Sequence, residues 1–348
     1  MKKIISLLML AALTMVLAAC GEKSQEDVIE ALDKNLDDLT GYKATATMTL
    51  QTGKEPQSYE VDVWYQYPTY YRVALSNAES DQSQIILRND EGVFVLTPAL
   101  NKSFRFQSDW PENNSQVYLY ESLINDILMD PERSFTATDD HYVFQTNTNY
   151  TNKNLNQQEV MLDKKELTPT SVKIMDVDLE VLVEVDFKDF ELNASFDEAD
   201  FDMDRNMTEA RLDSGVPTMT EETEGEDQSG EDAFTVFFPM YEPQGTAFEE
   251  SRELETENGK RVILSYEGEQ PFTLVQQQSQ VLEASTPVHV SQGSPVDLGF
   301  TYGAISKEGE TTTVSWSYEG TDFFLASQHL DDEEMMSIAR SVYGTEEK

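Results

Sequence analysis

The stretch that decides the fold is residues 59–106, YEVDVWYQYPTYYRVALSNAESDQSQIILRNDEGVFVLTPALNKSFRF. Apolar and polar side chains largely alternate from Tyr59 to Tyr67, which is typical of an antiparallel strand with one buried face. More apolar runs follow, and residues 89–92, NDEG, between the last two suit a tight hairpin turn. The pattern predicts a curved antiparallel sheet with one polar face and one apolar face that must be covered.

Six side chains of this stretch are predicted to lie on the covered face of the sheet and to line any cavity above it. They are Tyr65, Tyr67, Tyr71, Val73, Phe94 and Leu96. Two interpretations remain open for them. Either they surround a cavity that holds a ligand, or they form a solid core under the helices that cover the sheet.

Two helices are predicted to supply this cover. Ser24 can cap the first helix, which carries an apolar stripe and runs to Thr40. The second runs from Ser115 to Met129 and stops before Asp130-Pro131. Its apolar face is wider than a peripheral helix needs, with Leu119, Leu123 and Ile127 in one row and Tyr120, Ile124 and Leu128 in the next. The first row is predicted to line the same cavity from above, which makes nine candidate cavity residues with the six of the sheet.

The first 19 residues have the pattern of a secretory signal peptide: two lysines precede an apolar run, residues 4–19, that is short for a spanning helix. Small residues before the single cysteine, Cys20, resemble the lipobox of bacterial lipoproteins. The resemblance implies cleavage before Cys20 and a diacylglycerol on its thiol, which would anchor the chain to the outer face of the cell membrane. An uncleaved anchor helix and an ordinary signal peptide are the alternatives.

The charge of the chain is strongly negative, with 66 acidic and 24 basic residues and a formal charge of −42. Loss of Lys2 and Lys3 with the leader makes the mature charge −44. A polyanion of this size repels nucleic acid and anionic lipid headgroups, so we expect neither as a surface ligand. Residues 200–204, DFDMD, alternate like a calcium loop, but Arg205 stands where that loop needs glycine, so we predict an acidic turn without metal.

Composition divides the chain into two folded parts. Residues 211–232 hold almost no apolar side chain, so we predict an acidic disordered linker between a domain at residues 20–210 and another at residues 233–348. The second part contains a hairpin signal at residues 258–259 and a final helix that begins at Asp331. We expect it to be a small α+β domain.

The sequence carries no recognisable catalytic signature. His141, His289 and His329 are far apart and none has a partner at metal-ligand spacing. The sequence also lacks a glycine-rich phosphate loop, a serine nucleophile elbow and a zinc-protease helix. We therefore predict that the protein is not an enzyme and holds no metal or cofactor besides the lipid on Cys20.

The order of helix, antiparallel meander, helix and further strands resembles the outer-membrane lipoprotein carrier fold. Two hairpins carry the resemblance: residues 89–98, NDEGVFVLTP, and residues 162–169, LDKKELTP. More closely, residues 71–127, with LTPALNKS at 96–103, are similar to sporulation- and germination-associated lipoproteins of spore-forming Firmicutes. In the C-terminal part, the strand with Trp316, the turn at residues 319–320 and the helix that ends in residues 338–341, IARS, resemble an uncharacterised domain of Firmicute surface and anti-sigma-associated proteins.

These resemblances imply an α+β protein: an N-terminal antiparallel half-barrel with lid helices, and a small C-terminal α+β domain. They imply a non-catalytic, membrane-anchored lipoprotein of the cell envelope or the forespore-associated membrane that acts in sporulation or germination. Its partner would be a protein, such as a cell-wall amidase, or an acyl chain such as palmitate. A carrier that localises lipoproteins or binds lipids is the alternative, although anchoring through Cys20 would hold the chain at one membrane.

Overall fold

The computed structural model describes residues 23–51, 56–77, 83–111, 116–148, 150, 155–213, 235–256, 259–281, 288–290 and 293–342, without the side chains of Asp213 and of residues 288–290. The predicted signal peptide, Cys20 and residues 214–232 of the predicted linker lie outside these ranges. The first three linker residues lie in a helix instead. Arg211 Nη1 donates a hydrogen bond to Asn101 Oδ1 at 3.1 Å, which holds the last turn of this helix against the sheet. Amino-acid composition does not reveal such an interaction.

The strands of the described residues form two sheets. In chain order they are β1 (Gly41–Leu50), β2 (Gln57–Gln66), β3 (Tyr70–Asn77), β4 (Ser83–Asn89), β5 (Gly92–Thr97), β6 (Lys102–Phe106), β7 (Ser134–Ala137), β8 (His141–Asn147), β9 (Gln157–Asp163), β10 (Pro169–Met175), β11 (Val181–Leu192), β12 (Thr246–Thr256), β13 (Gly259–Gly268), β14 (Phe272–Gln278), β15 (Val288–Val290), β16 (Gly293–Asp297), β17 (Tyr302–Glu308), β18 (Thr311–Tyr318) and β19 (Thr321–Ser327). The helices are α1 (Gln25–Asp37), α2 (Tyr120–Met129), α3 (Met203–Asp213) and α4 (Asp332–Arg340).

The larger sheet is an open, curved half-barrel, as predicted. Its strand order is β15-β6-β5-β4-β3-β2-β1-β11-β10-β9-β8-β7, and the β15–β6 pair alone is parallel among the strands that the structure describes. The hairpin signal at residues 89–92 joins β4 and β5, with Asn89 opposite Gly92. The α+β fold class inferred from the sequence is therefore confirmed.

The start of α1 follows from local sequence. Asp27 N–H donates to Ser24 Oγ at 3.2 Å, and Ser24 N–H donates to Asp27 Oδ2 at 3.0 Å, which is a capping box. Val28 and Leu32 are fully buried, so the apolar stripe packs on the sheet. The helix ends at Asp37, before the predicted Thr40.

The start of α2 is set by tertiary contacts. The predicted start, Ser115, lies outside the described residues, and residues 116–119, which were predicted to be helical, are not. The helix begins at Tyr120, and Leu119 before it has an extended backbone. The Tyr120 N–H donates to the hydroxyl of Tyr42 in β1 at 3.2 Å. A distant tyrosine thus satisfies a free amide of the first helical turn, which no local pattern in the sequence indicates.

The strands β4 and β5 are buried on both faces, which explains their unbroken apolar runs. Their concave-side residues Ile86 and Val95 belong to the main core. A smaller core on the convex side is closed by α3 and a 3-10 turn, Glu198–Phe201, and contains Ile85, Leu87, Phe94, Leu96, Phe201 and Met207.

The smaller sheet, in the order β12-β13-β14-β19-β18-β17-β16, packs on the concave side of the larger one at β4–β6. One continuous core runs through both sheets and includes Val95, Phe106, Trp316 and Phe323. The part predicted as a separate C-terminal domain therefore shares its core with the half-barrel. Of the helices that the structure describes, none combines the length and hydropathy that a membrane-spanning segment needs.

Candidate functional site

The residues predicted to line a cavity divide into three groups. Six of the nine lie together in the main core, on the concave face of the sheet or on the segment that covers it, and each is at most 8% exposed. They are Tyr65, Tyr71, Val73, Leu119, Leu123 and Ile127. These six side chains of β2, β3 and residues 119–127 therefore lie together, on or against the concave face.

Tyr67 does not belong to this group, since its side chain is 66% exposed. The strand β2 ends at Gln66, and Tyr67 lies in the following turn, where its N–H donates to Thr40 O at 3.0 Å. Alternation between the two faces stops with the strand, so its continuation to Tyr67 was wrong.

Phe94 and Leu96 are buried, but in the smaller core on the convex face. Their neighbours Val93 and Val95 face the main core instead. A run of four apolar residues has no alternation, so the sequence could not indicate which pair points inwards. The placement of Phe94 and Leu96 on the concave face was therefore wrong.

Glu121 is the polar centre of the concave face. Its carboxylate accepts hydrogen bonds from the hydroxyl of Tyr42 at 2.9 Å and from that of Tyr71 at 3.0 Å. Loss of hydration raises the pKa of the Glu121 carboxyl above its ordinary value, and these hydrogen bonds oppose that shift. Burial also raises the pKa of Tyr42 and of Tyr71 far above the ordinary value, so both hydroxyls remain donors at physiological pH.

Aromatic rings surround this carboxylate. The ring of Tyr65 lies 4.7 Å from that of Tyr71 and 5.5 Å from that of Tyr42, and Phe190 stacks on Tyr42 at 5.3 Å. Such contacts add to the stability that buried area alone provides. Sequence reasoning missed Glu121, although an acidic residue directly beside the second apolar row of α2 was the signal available.

The concave face is filled where α2 crosses it. Leu123, Ile124 and Ile127 are completely buried, and none of the three cavities described below is lined by them. Glu121 adds hydrogen bonds to two strands of the sheet. The geometry thus agrees with the packed-core interpretation of this face.

A polar seam joins the two sheets. The Tyr118 hydroxyl donates to Asp297 Oδ2 at 2.7 Å and lies 2.9 Å from the Tyr302 hydroxyl. Arg340 Nη2 donates to the backbone oxygen of Asp297 at 3.0 Å. Desolvation raises the pKa of the Asp297 carboxyl and lowers that of Arg340. No sequence pattern predicts this seam, because Tyr118 is 179 residues from Asp297 and 184 residues from Tyr302.

Further hydrogen bonds extend the seam towards β4 and β6. Gln84 Oε1 accepts from the Thr301 hydroxyl at 2.7 Å and from the Tyr302 N–H at 2.6 Å. Lys102 Nζ and Asp322 Oδ2 form a largely buried ion pair at 2.6 Å. Breaking such a pair by removing one partner leaves an uncompensated charge, so these contacts fix how the two sheets pack.

Three openings around this framework are formed by described residues. A groove of about 440 Å³ between α1 and the end of α2 is lined by Gln25, Glu26, Ile29, Glu30, Asp33, Leu128 and Arg133, and we call it the α1–α2 groove. A pocket of about 260 Å³ lies between β5–β6 and the smaller sheet. A third, of about 60 Å³, lies between the same two sheets near Tyr59 and Tyr318.

The described residues contain no cluster of three or more His, Cys, Asp or Glu that could hold a metal ion. Residues 200–204 form the 3-10 turn and the start of α3, and Asp200 Oδ1 accepts from Arg205 Nη1 at 3.0 Å. The carboxylate of Asp202 accepts from the backbone N–H of Arg205 at 2.8 Å. These acids therefore stabilise the turn.

The fold and the site define a class: a two-sheet α+β protein whose half-barrel is covered by a helix and a second sheet. The chain belongs to the sporulation protein YdcC-like family, whose family model matches residues 1–201. The sporulation protein YdcC of Bacillus subtilis (strain 168) is 46% identical over 335 residues, which is 96% of this chain and 95% of that protein. A domain of unknown function, DUF4367, matches residues 236–342. The resemblance to a sporulation family is thus confirmed.

Solved structures resemble the chain only loosely. The Pseudomonas aeruginosa MucA/MucB complex matches with 13% identity and a TM-score of 0.30, covering 88% of this chain and 97% of the matched one. A chain in the structure of the CwlD amidase from Clostridioides difficile in complex with the GerS lipoprotein matches with 18% identity and a TM-score of 0.23, covering 49% of this chain and 97% of the matched one. The LolA superfamily protein NE2245 from Nitrosomonas europaea matches with 11% identity and a TM-score of 0.29, covering 51% and 98%. TM-scores of this size are too low for a functional inference.

Proposed function

We propose that this protein acts in sporulation as a lipid-anchored, extracytoplasmic protein that binds a protein partner at the outer face of the cell membrane and catalyses no reaction. Membership of the YdcC-like family supports the role in sporulation. The signal-peptide pattern and the small residues before Cys20 support the anchor. We choose a protein partner over an acyl chain because the concave face is filled.

An acyl carrier needs an empty apolar chamber for its chain. In this protein Leu123, Ile124 and Ile127 occupy the concave face beneath α2. Making room for an acyl chain there would expose these side chains and break the hydrogen bonds of Glu121 to Tyr42 and Tyr71. The filled face therefore favours a partner that binds outside the half-barrel over an acyl chain inside it, and a cell-wall amidase is one such partner.

The α1–α2 groove is the docking surface that we propose. Ile29 and Leu128 are its half-buried apolar side chains, and the neighbouring Met129 is 72% exposed. The acidic side chains that line the groove are Glu26, Glu30 and Asp33, and the basic one is Arg133. The charge of the groove lining is therefore negative. Its charge is complementary to a partner surface with apolar residues ringed by lysine or arginine.

The groove lies next to the proposed anchor. Ser24 is four positions after Cys20, and an extended chain spans at most about 3.5 Å per residue. The first turn of α1 would then lie within about 14 Å of a lipidated Cys20. A partner in this groove would therefore be a membrane protein or a protein held close to the membrane.

Site-specific photo-crosslinking in sporulating cells of the native host tests this function. A photo-reactive residue at Met129 should give a discrete protein adduct. One at Val177, which is 73% exposed but does not line the groove, should not give that adduct. Charge reversal by Glu30→Lys should remove the Met129 adduct, whereas Glu249→Lys on the exposed strand β12 should preserve it.

The anchor is tested in the same cells with Cys20→Ser. We expect this variant to migrate as the uncleaved precursor or to leave the membrane fraction, and in the second case the Met129 adduct disappears with it. A Cys20→Ser protein that both fractionates and migrates like wild type would show that the anchor is wrong. Identical adducts from Met129 and Val177, or a Met129 adduct that survives Glu30→Lys, would show that the groove is not the docking surface.

A further inference from the structure

The outer strand of the smaller sheet has one edge without a neighbour. The strand β12 stands first in the strand order of that sheet and pairs with β13, and no other strand that the structure describes pairs with it. Pairing with β13 is regular from Glu250 opposite Ser265 to Thr256 opposite Gly259, and a bulge precedes Glu250. Residues 250–256 therefore present a regular row of backbone N–H and C=O groups on the open edge, and a further strand can pair with such a row.

The rest of the folded chain hardly covers this segment. Residues 250–255 are exposed on both faces of the strand, and Leu254 is 41% exposed. A strand is stabilised chiefly by burying one of its faces, and this segment buries neither. A further strand on the open edge would pair the backbone and cover these side chains at the same time.

One face of the segment is acidic. Glu253 and Glu255 share this face of β12 and lie opposite Val262 and Lys260 of β13. Lys260 Nζ lies 2.8 Å from Glu253 Oε2, and the Glu253 side chain remains 59% exposed. Glu255 forms no ion pair with any residue that the structure describes. Cations on an added strand would therefore find carboxylates on this face, and the formal charge of −42 attracts such a strand from solution.

The other face of the segment is close to neutral. Glu250, Arg252 and Leu254 share it, and Arg252 Nη2 donates to Glu250 Oε1 at 2.9 Å. The two charges offset each other, so Leu254 is the side chain of this face that gains most from an added strand. An apolar side chain opposite Leu254 would be covered together with it.

We propose that residues 250–256 bind an extended segment of another protein in which lysine or arginine alternates with apolar residues. Its cations lie on the face of Glu253 and Glu255 and its apolar side chains on the face of Leu254, since side chains alternate between the faces of a strand. A second copy of this chain would set Glu253 against Glu253 when two such segments pair about their centre, and like charges opposite each other destabilise a sheet. The edge shares no residue with the α1–α2 groove, so this binding and the proposed function are tested separately.

The pairing is tested by isothermal titration calorimetry of residues 21–348 at physiological salt with three peptides of equal charge. The first alternates four lysines with three valines, the second carries the same residues in two blocks, and the third is the first peptide with every backbone amide N-methylated. We expect one-to-one binding of the alternating peptide and binding at least about tenfold weaker for the other two. Equal affinities would show that the acidic chain merely attracts cations, and no binding of the alternating peptide would show that the edge accepts no such strand. Either result overturns the proposal.

Variants of exposed residues then test the two faces. Glu255→Lys should weaken binding of the alternating peptide about threefold or more, because it places a cation opposite the lysines. Glu310→Lys is the matched control, since it makes the same charge change at an exposed residue between β17 and β18, and it should leave the affinity close to wild type. Leu254→Thr keeps a residue that favours strands and should weaken binding about twofold or more. Melting temperatures confirm that the variants fold.

Hydrogen exchange measured by mass spectrometry locates the bound peptide. The alternating peptide should slow amide exchange in residues 250–256 and leave exchange unchanged in β7, the outer strand of the larger sheet. Unchanged exchange in residues 250–256, or equal affinities of Glu255→Lys and Glu310→Lys, would show that the peptide binds elsewhere and would overturn the proposal.

Discussion

Replacing Leu123 with alanine should lower the free energy of unfolding by about 3–4 kcal/mol. Leu123 lies in the middle of α2, is completely buried, and belongs to the core that the two sheets share. The change removes three carbon atoms, and at ~0.8 kcal/mol for each the lost transfer free energy is about 2.4 kcal/mol. The cavity left among close-packed rings, which relax only partly, adds about 1 kcal/mol or more.

Met129→Ala is the matched control, because it shortens an apolar side chain of the same helix that is 72% exposed. We expect a change within about 0.5 kcal/mol for this control. Urea unfolding followed by circular dichroism measures both variants, and an apolar fluorescent dye reports any newly exposed cavity. A loss below about 1 kcal/mol for Leu123→Ala, together with increased dye binding, would show that α2 is a lid over empty space and refute the packed-core interpretation.

Two further predictions concern charge. Burial raises the pKa of Glu121 in the folded state, so the folded protein retains a proton that the unfolded chain releases, and stability falls as pH rises from the ordinary value of 4.5 through the raised value. The free energy of unfolding should therefore fall less with pH in Glu121→Gln than in wild type, whereas the exposed control Glu132→Gln should behave like wild type. Equal pH dependence of the unfolding free energy in all three proteins would contradict this prediction. With a formal charge of −42 on the chain, the melting temperature should rise between about 0.01 M and 1 M salt, as the Debye length falls from ~30 Å to ~3 Å. A flat melting temperature would show that the acids are already spaced well enough not to destabilise the fold.

The sequence by itself determined the elements whose causes are local. Alternation in residues 59–66 indicated the strand β2, the turn residues 89–92 indicated the β4–β5 hairpin, and the capping residue Ser24 indicated the start of α1. Each of these depends on side chains a few positions apart. The same alternation correctly brought Tyr65, Tyr71 and Val73 to one face.

Only the tertiary structure decided the features that depend on residues distant in the chain: the orientation of the β5 side chains, the start of α2 and the polar seam. Phe94 and Leu96 face the convex core because α3 and the 3-10 turn before it cover that side of β5, and an unbroken apolar run is compatible with either orientation. The first amide of α2 is bonded to Tyr42, about 80 residues earlier in the chain. The seam of Tyr118 with Asp297 forms where the smaller sheet packs on the half-barrel. Burial and hydrogen-bond partners across such separations depend on how sheets and helices pack, and local sequence patterns do not encode them.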